Sequence, residues 1–288
     1  MVERSEEQVR VREMSDQHAQ RQNMDGGEEQ HVQEATGLTA RLIYEVVRRD
    51  GVDEMTRPKT SLIFSGFAAG ILIAFSIIGE AILRAYMPDT LWRPLIESLG
   101  YTLGFILVIK GRMQLFTENT ITTVLPLMSQ PCKEYMYLTA RLWAMVLTAN
   151  VVGAFVAGAY MFYTPTFGAE VKGAIQAISV HATDHPPLEA FFLAMPAGVL
   201  IAAIVWMLPT APQNSFIIIA AFTWLIAVGG FAHIIAGSVE MAYLVVNGTM
   251  GLWGAISFFV PVLIGNVVGG TAVFTLLTWA QVAAEVEE

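Results

Sequence analysis

A single cysteine, Cys132, is present in 288 residues. That excludes an intrachain disulfide framework and any cysteine-rich metal site, and we read Cys132 as a small residue in a short loop. Charge is equally scarce, with 14% charged against 55% hydrophobic residues. So much apolar surface exceeds what a water-soluble fold can hide, and the chain belongs in a bilayer. The start lacks a secretory signal, because residues 1–56 are polar, rich in Gln and Glu, and without an apolar core segment. The spans carry no nucleophile elbow, phosphate loop, carboxylate pair or metal triad, so the sequence points to no enzyme and to no cofactor. The two Asn-Pro-Ala signatures of a water channel are missing as well. The net charge of −9 comes partly from the N-terminal segment and from Glu285, Glu287 and Glu288, and it gives no support to nucleic-acid binding.

What is there is a set of apolar stretches at about 61–83, 95–109, 135–163, 188–208, 215–231 and 251–279, with shorter pieces after Asn119 and His233. They predict six transmembrane helices, the second and fifth of them broken. Polar residues from Lys110 to Thr120 interrupt the second, and Gly229-Gly230-Phe231-Ala232-His233 splits the fifth. In hydrocarbon an unpaired amide costs several kcal/mol, so such a break survives only where protein buries it or a wet cavity borders it. Nine of the 16 Lys and Arg residues precede the first span, which places the N-terminus in the cytoplasm and, after six spans, the C-terminus too.

The chain divides into a tail, 1–36, too poor in aliphatic residues to order itself; an amphipathic segment, 37–56; a transmembrane region, 57–282; and an acidic end, 283–288. In the second segment Leu38, Leu42, Ile43, Val46 and Val47 fall at helical spacing among Arg41, Glu45, Arg48 and Arg49. That pattern suits a helix on the inner membrane face and equally a helix packed on protein.

The transmembrane region is duplicated. Ala149-Asn150-Val151-Val152-Gly153-Ala154 and Gly265-Asn266-Val267-Val268-Gly269-Gly270 lie 116 positions apart, as do Thr117 and His233, and Ala69–Ala74 repeats 128 positions later at Ala197–Ala202. Three helices per copy is an odd number, so the second copy enters the membrane upside down, giving an inverted 3+3 repeat. Asn150 and Asn266 sit among small residues that allow close helix approach, and each amide can bridge to backbone freed by the neighbouring break. Simple packing accounts for them as well.

Leu115-Phe116-Thr117 in the first break, Gly230-Phe231-Ala232-His233 in the second and Ile264–Gly270 in the last span resemble the formate/nitrite transporter family over roughly 38–280. The resemblance implies an all-α, aquaporin-like protomer of six helices, a pore through each protomer, a homopentamer in the lipid bilayer of the inner membrane, and a small monovalent anion as substrate. It implies that Thr117 and His233 face each other across the pore; Lys110 and Asn119, polar residues of the first break, are further pore candidates read from the sequence itself. Tyr101, Phe105, Ile201, Ile226 and Ala236 correspond to the apolar constrictions. The chain departs from the family pattern at Ala232, where many members carry an acid, at Gly198 and Gly237, where they carry pore-facing asparagines, and at Ala182 in place of a lysine.

A bare anion faces a large desolvation cost in a dry constriction and a neutral acid a much smaller one. A histidine, with an ordinary pKa near ~6.5, suits the task of binding the anion or supplying its proton. Lys110 and Arg112 either draw anions toward the break or pair with Glu118 and snorkel. Glu240, seven residues after His233, is a proton waypoint or a packing residue. His181 and His185 are spaced for a shared metal but lack a third ligand, so no metal is expected. Two other readings remain open: a pore for neutral small solutes, and a membrane scaffold without transport.

Overall fold

The computed structural model describes residues 37–286, which are helical wherever they are regular. The expectation for residues 1–36 lies outside the described residues, as do the last two of 283–288. The first helix, α1 (Ala40–Thr56), buries Ile43, Tyr44, Val47, Gly51 and Met55, a stripe of one residue per turn. Its register differs from the pattern read in the sequence, for Leu42 and Val46 are half exposed while Ile43 and Val47 are buried. The cause is the partner surface: Ile43, Tyr44 and Val47 pack with Ile121, Leu125, Ala202 and Val282 of the transmembrane body. Gly51 permits this approach, since a Cβ there would stand 1.8 Å from the Thr122 carbonyl oxygen.

On the opposite face of α1, Glu45 binds Arg48 at 2.8 Å and Arg49 at 2.6 Å. The Arg48 guanidinium, helped by Arg49, holds the Glu45 carboxyl down to about 2. A depressed carboxylate stabilises the fold above its ordinary value and loses that contribution as pH falls toward 2. The cluster faces water, so the loss expected between about pH 4.5 and 2 is only about 0.5 kcal/mol. A thermal melt of Glu45→Gln against pH should therefore differ from the parent above that window and converge with it below.

Four stretches are long and apolar enough to cross a membrane: 59–86, 133–163, 187–210 and 252–285. The first comprises α2 (Lys59–Leu72) and α3 (Ala74–Tyr86). Then come α4 (Arg93–Lys110), the short α5 (Phe116–Thr122) and α6 (Val124–Ser129), and the 31-residue α7 (Lys133–Tyr163). The second half holds α8 (Ala169–Thr183), α9 (Pro187–Met207), α10 (Ser215–Val228), α11 (Ile234–Val246) and α12 (Leu252–Val267). A π-helical stretch, Val268–Thr275, follows α12 and leads into α13 (Leu276–Val286).

Two crossings built alike organise this bundle. A Cβ on Gly70 of α2 would lie 2.1 Å from the Asn150 carbonyl oxygen of α7, and one on Gly153 would lie 2.3 Å from that of Phe67. In the second half, Gly198 of α9 meets the Asn266 carbonyl at 2.3 Å and Gly269 that of Met195 at 2.1 Å. Backbones this close exclude any side chain, the device by which small residues hold helices together without a hydrophobic drive. Gly198 is thus a helix crossing and not the pore-facing position that the family pattern suggests. Phe64, Phe216, Ile217, Leu252 and Trp253 lie exposed on the outside, an apolar coat that lipid or neighbouring subunits must cover.

Candidate functional site

The helix breaks are made by one hydrogen-bond pattern used twice. At the end of α4, Met113 N–H donates to the Val108 carbonyl (3.0 Å) and Arg112 N–H to that of Ile109 (3.1 Å). At the end of α10, Phe231 N–H donates to Ile226 (2.9 Å) and Gly230 N–H to Ala227 (3.0 Å). This is a Schellman closure, and its left-handed residue is Arg112 (φ 50°) in one copy and Gly230 (φ 64°) in the other.

Each chain then re-enters a helix under the control of an asparagine. Asn150 Oδ1 accepts from Phe116 N–H at 3.0 Å while its Nδ2 donates to the Gly66 and Gln114 carbonyls at 2.7 and 2.9 Å. Asn266 Oδ1 accepts from Ile234 N–H at 2.8 Å while its Nδ2 donates to Ala194 and Ala232 at 2.7 and 2.9 Å. Both asparagines are fully buried, so these are the bonds that replace water for the freed backbone.

The register of the breaks differs from the sequence spacing of 116. Every closing bond of the first recurs 118 positions later, which makes His233, the residue preceding α11, the counterpart of Leu115, and Ile235 that of Thr117. Thr117 and His233 nevertheless meet: His233 Nε2 lies 2.8 Å from Thr117 Oγ1, with both residues buried. His233 Nδ1 accepts from Ala236 N–H at 3.3 Å, so the ring proton sits on Nε2 and is donated to Thr117. The Thr117 hydroxyl proton has no acceptor among the described residues. The ring also stands edge-on to Phe105 at 4.9 Å, and Phe105 lies 5.3 Å from the Tyr101 ring.

Two cavities lie at opposite ends of α4 and α10. One, of about 390 Å³, is lined by Glu80, Arg84, Arg93, Glu97, Tyr101, His233 and Glu240 among others. The second, of about 480 Å³, is lined by Asp50, Glu54, Lys110, Arg112, Gln114 and Glu118 among others. On α4 the first reaches Tyr101 and the second begins at Ile109, so about 12 Å of helix separates them. In that interval Phe105 is fully buried, as are Ile201, Ile226 and Ala236 on the neighbouring helices.

The remaining sequence candidates fall elsewhere. Lys110 is exposed at the second cavity and donates to Ser215 Oγ at 2.8 Å. Among the described residues neither Lys110 nor Arg112 forms an ion pair with Glu118. Asn119 lines neither cavity. It donates to Glu54 Oε2 at 3.1 Å and Gln114 Oε1 at 3.3 Å, while its carbonyl accepts from Trp143 Nε1–H at 3.2 Å. Asn119 therefore belongs to a clasp that sequence reasoning missed: the Glu54 carboxylate of α1 accepts from Gln114, Asn119 and Thr122, tying α1 to the first break. Removal from water pushes the Glu54 carboxyl up from its ordinary value, against the pull of these donors. Arg141 Nη2 anchors the end of α1 through the Met55 carbonyl at 2.7 Å. His185 pairs with Glu189 at 3.0 Å and stacks edge-on to His181. Gly237 borders the first cavity, where a Cβ would strike the Phe258 ring at 2.7 Å.

Glu80 of α3 and Glu240 of α11, far apart in the chain, line the same cavity.

Against known proteins, a family model described as "Formate/nitrite transporter" matches residues 41–280. The inner membrane protein YfdC of Escherichia coli (strain K12) is 40% identical over 247 residues, covering 84% of this chain and 79% of that protein. The formate channel FocA of Haemophilus influenzae (strain ATCC 51907 / DSM 11121 / KW20 / Rd) is 26% identical, covering 72% and 81%. Among solved structures, a pentameric formate channel with formate bound superposes with a TM-score of 0.67 at 22% identity, over 78% of this chain and 98% of that one. An FNT family ion channel gives 0.72 at 17% identity, over 83% and 98%.

Proposed function

Since the chain belongs to the formate/nitrite transporter family and is an integral membrane protein, not an enzyme, we propose that it is a channel for small monovalent anions of the formate or nitrite class. In this reading six spans form an inverted 3+3 repeat, the second broken between α4 and α5 and the fifth between α10 and α11. Each protomer is then an aquaporin-like pore. The protomers assemble as a homopentamer in the inner membrane, with both termini in the cytoplasm. The apolar outer groove along Ile63, Phe64, Phe67 and Met145 is a surface that subunit contact or lipid would cover.

The observation that carries the reading is the 2.8 Å contact between Thr117 and His233, which joins the two breaks in a buried layer between two water-accessible cavities. The imidazole N–H is donated to Thr117, which leaves the hydroxyl proton for an acceptor in the passage: Nε2–H···Oγ–H···solute. Tyr101, Phe105, Ile201, Ile226 and Ala236 form the dry constrictions around that point. Stripping water from an anion there is costly, so the solute crosses either hydrogen-bonded or protonated. Lys110 at the second cavity supplies positive field at the mouth, and Asn119 supports the break from behind. Asn150 and Asn266 hold the break geometry.

Stopped-flow measurements on proteoliposomes, with formate, nitrite, acetate, hydrosulfide and glycerol across a pH series, test this. Formate and nitrite should pass faster as pH falls, and glycerol should not pass. Equal glycerol flux without pH dependence would replace the reading with a neutral-solute pore, and no flux of any solute would end it.

A further inference from the structure

The clasp around Glu54 is a carboxylate held by neutral donors. Gln114 Nε2 donates to Oε1 at 3.2 Å, Asn119 Nδ2 donates to Oε2 at 3.1 Å, and the Thr122 hydroxyl donates to Oε2 as well. All three donors are more than nine-tenths buried, whereas Glu54 comes from α1 at the wall of the second cavity, which Gln114 and Thr122 also line. Asn119 gives up part of its own bonding in this role. Its Oδ1 is buried without a donor among the described residues, while Nδ2 donates to Glu54 and to Gln114 Oε1. A network that served only to fasten two helices has no reason to orphan a buried acceptor.

The backbone closure does not depend on these side chains. In the register of the breaks, Ala232, Gly237 and Glu240 stand 118 positions after Gln114, Asn119 and Thr122. The second break closes by the same backbone bonds with no comparable set of donors. Three buried donors converging on a carboxylate are thus peculiar to the first break, on the side where the second cavity opens.

We propose that Gln114, Asn119 and Thr122 form a binding site for a bent anion with two oxygens, a small carboxylate or nitrite, and that Glu54 fills it as a tethered ligand. That the free ligand is of the formate class rests on the channel reading above; the site rests on the geometry of the clasp. Donors directed at two oxygens suit such an anion, and a spherical halide offers them only one centre. Among the described residues no cation pairs with Glu54, so the site is a weak one for a free anion. Transit demands this, because an ion must leave as well as enter. Tethering offsets the weakness for Glu54, since a side chain on a docked helix is present at high effective concentration. Lys110 and Arg112, at the same cavity, draw the free anion there. Docking of α1 and binding of the anion are then mutually exclusive, and each weakens the other by the same factor.

Thermal melts of the purified protein in detergent, at about pH 8, test the site. Glu54→Ala leaves room for a formate ion where the carboxylate stood. Formate or nitrite at about 100 mM should raise its melting temperature by about 3–5 °C over chloride at the same concentration, the shift for a ligand at about ten times its Kd. The shift should be about 1 °C or less in Glu54→Gln, whose side chain still fills the site, and in Glu54→Ala/Thr122→Val, which lacks one donor to the anion. In the parent, formate displaces Glu54, so tryptic cleavage after Arg48 or Arg49 should run about tenfold faster than in chloride. That rate decides the matter if Glu54→Ala is too unstable to purify. A shift in Glu54→Ala no larger than in Glu54→Gln overturns the proposal, as does an unchanged tryptic rate in the parent. Formate flux into parent proteoliposomes keeps the two readings apart. Flux without these effects leaves the channel and removes the site; the effects without flux leave the site and remove the channel.

Discussion

Proteoliposomes carrying His233→Phe are expected to pass formate at about a tenth of the parent rate or less, at every pH. The phenyl ring is somewhat larger than imidazole but flat and apolar, and it keeps the edge-on contact with Phe105, so the break should still fold. What is lost is the Nε2–H that orders Thr117. A hydrogen bond to a charged or strongly polarised group is worth about 1.5–3 kcal/mol. Since each 1.36 kcal/mol is tenfold in rate, removing one such bond from the barrier crossing predicts a loss of about ten- to a hundredfold. Flux within twofold of the parent would leave His233 as a buried structural residue. Its hydrogen bonds to Thr117 and the Ala236 amide would then be its whole function.

The ends of α4 and α10 fall where the sequence interrupts its apolar stretches, because hydrocarbon tolerates no unpaired amide, so a glycine pair or a polar run inside such a stretch has few meanings. Asn150 and Asn266 stood out for a related reason, being lone amides in repeats of small residues. The pairing of Thr117 with His233 could be suspected from their spacing, but the spacing misstates the register. The helices around the breaks repeat at 118 and the asparagines at 116, so a shared offset of 116 brings together positions that are not counterparts.

Other features left no periodic trace. Glu54 lies on an amphipathic helix where a carboxylate looks like part of a solvated face, and only the close approach at Gly51 turns it toward Gln114, Asn119 and Thr122. Leu42 and Val46 look like core yet face outward, because the surface that α1 packs against is set by residues as distant as Ile121 and Val282. Glu80 and Glu240, which line one cavity, are the plainest case: they are 160 positions apart (240 − 80), and no local pattern joins them.

Asn266→Ala is expected to destabilise the protein more than any other single truncation around the pore, with Asn150→Ala close behind. Each alanine orphans one amide N–H and one loop carbonyl in a region sealed from water, and removes a second bond to a helical carbonyl: Ile234 and Ala232 with Ala194 in one half, Phe116 and Gln114 with Gly66 in the other. A buried group left unsatisfied costs about 1–3 kcal/mol. Side-chain hydrogen bonds within membranes have measured nearer 0.6 kcal/mol, because the reference state finds other partners. Backbone groups at a break are less able to do so, since the helix ends that hold them are fixed by the Schellman closures on one side and the glycine crossings on the other. A loss of about 3 kcal/mol per asparagine follows, read as a fall in the melting temperature of the purified protein in detergent. Asn266→Asp keeps the acceptor for Ile234 N–H and forfeits both donors, so it should not melt higher than Asn266→Ala by more than the value of one bond. If Asn266→Ala melts with the parent, the entry into α11 is held by helix packing alone, and the asparagine is not its fastening.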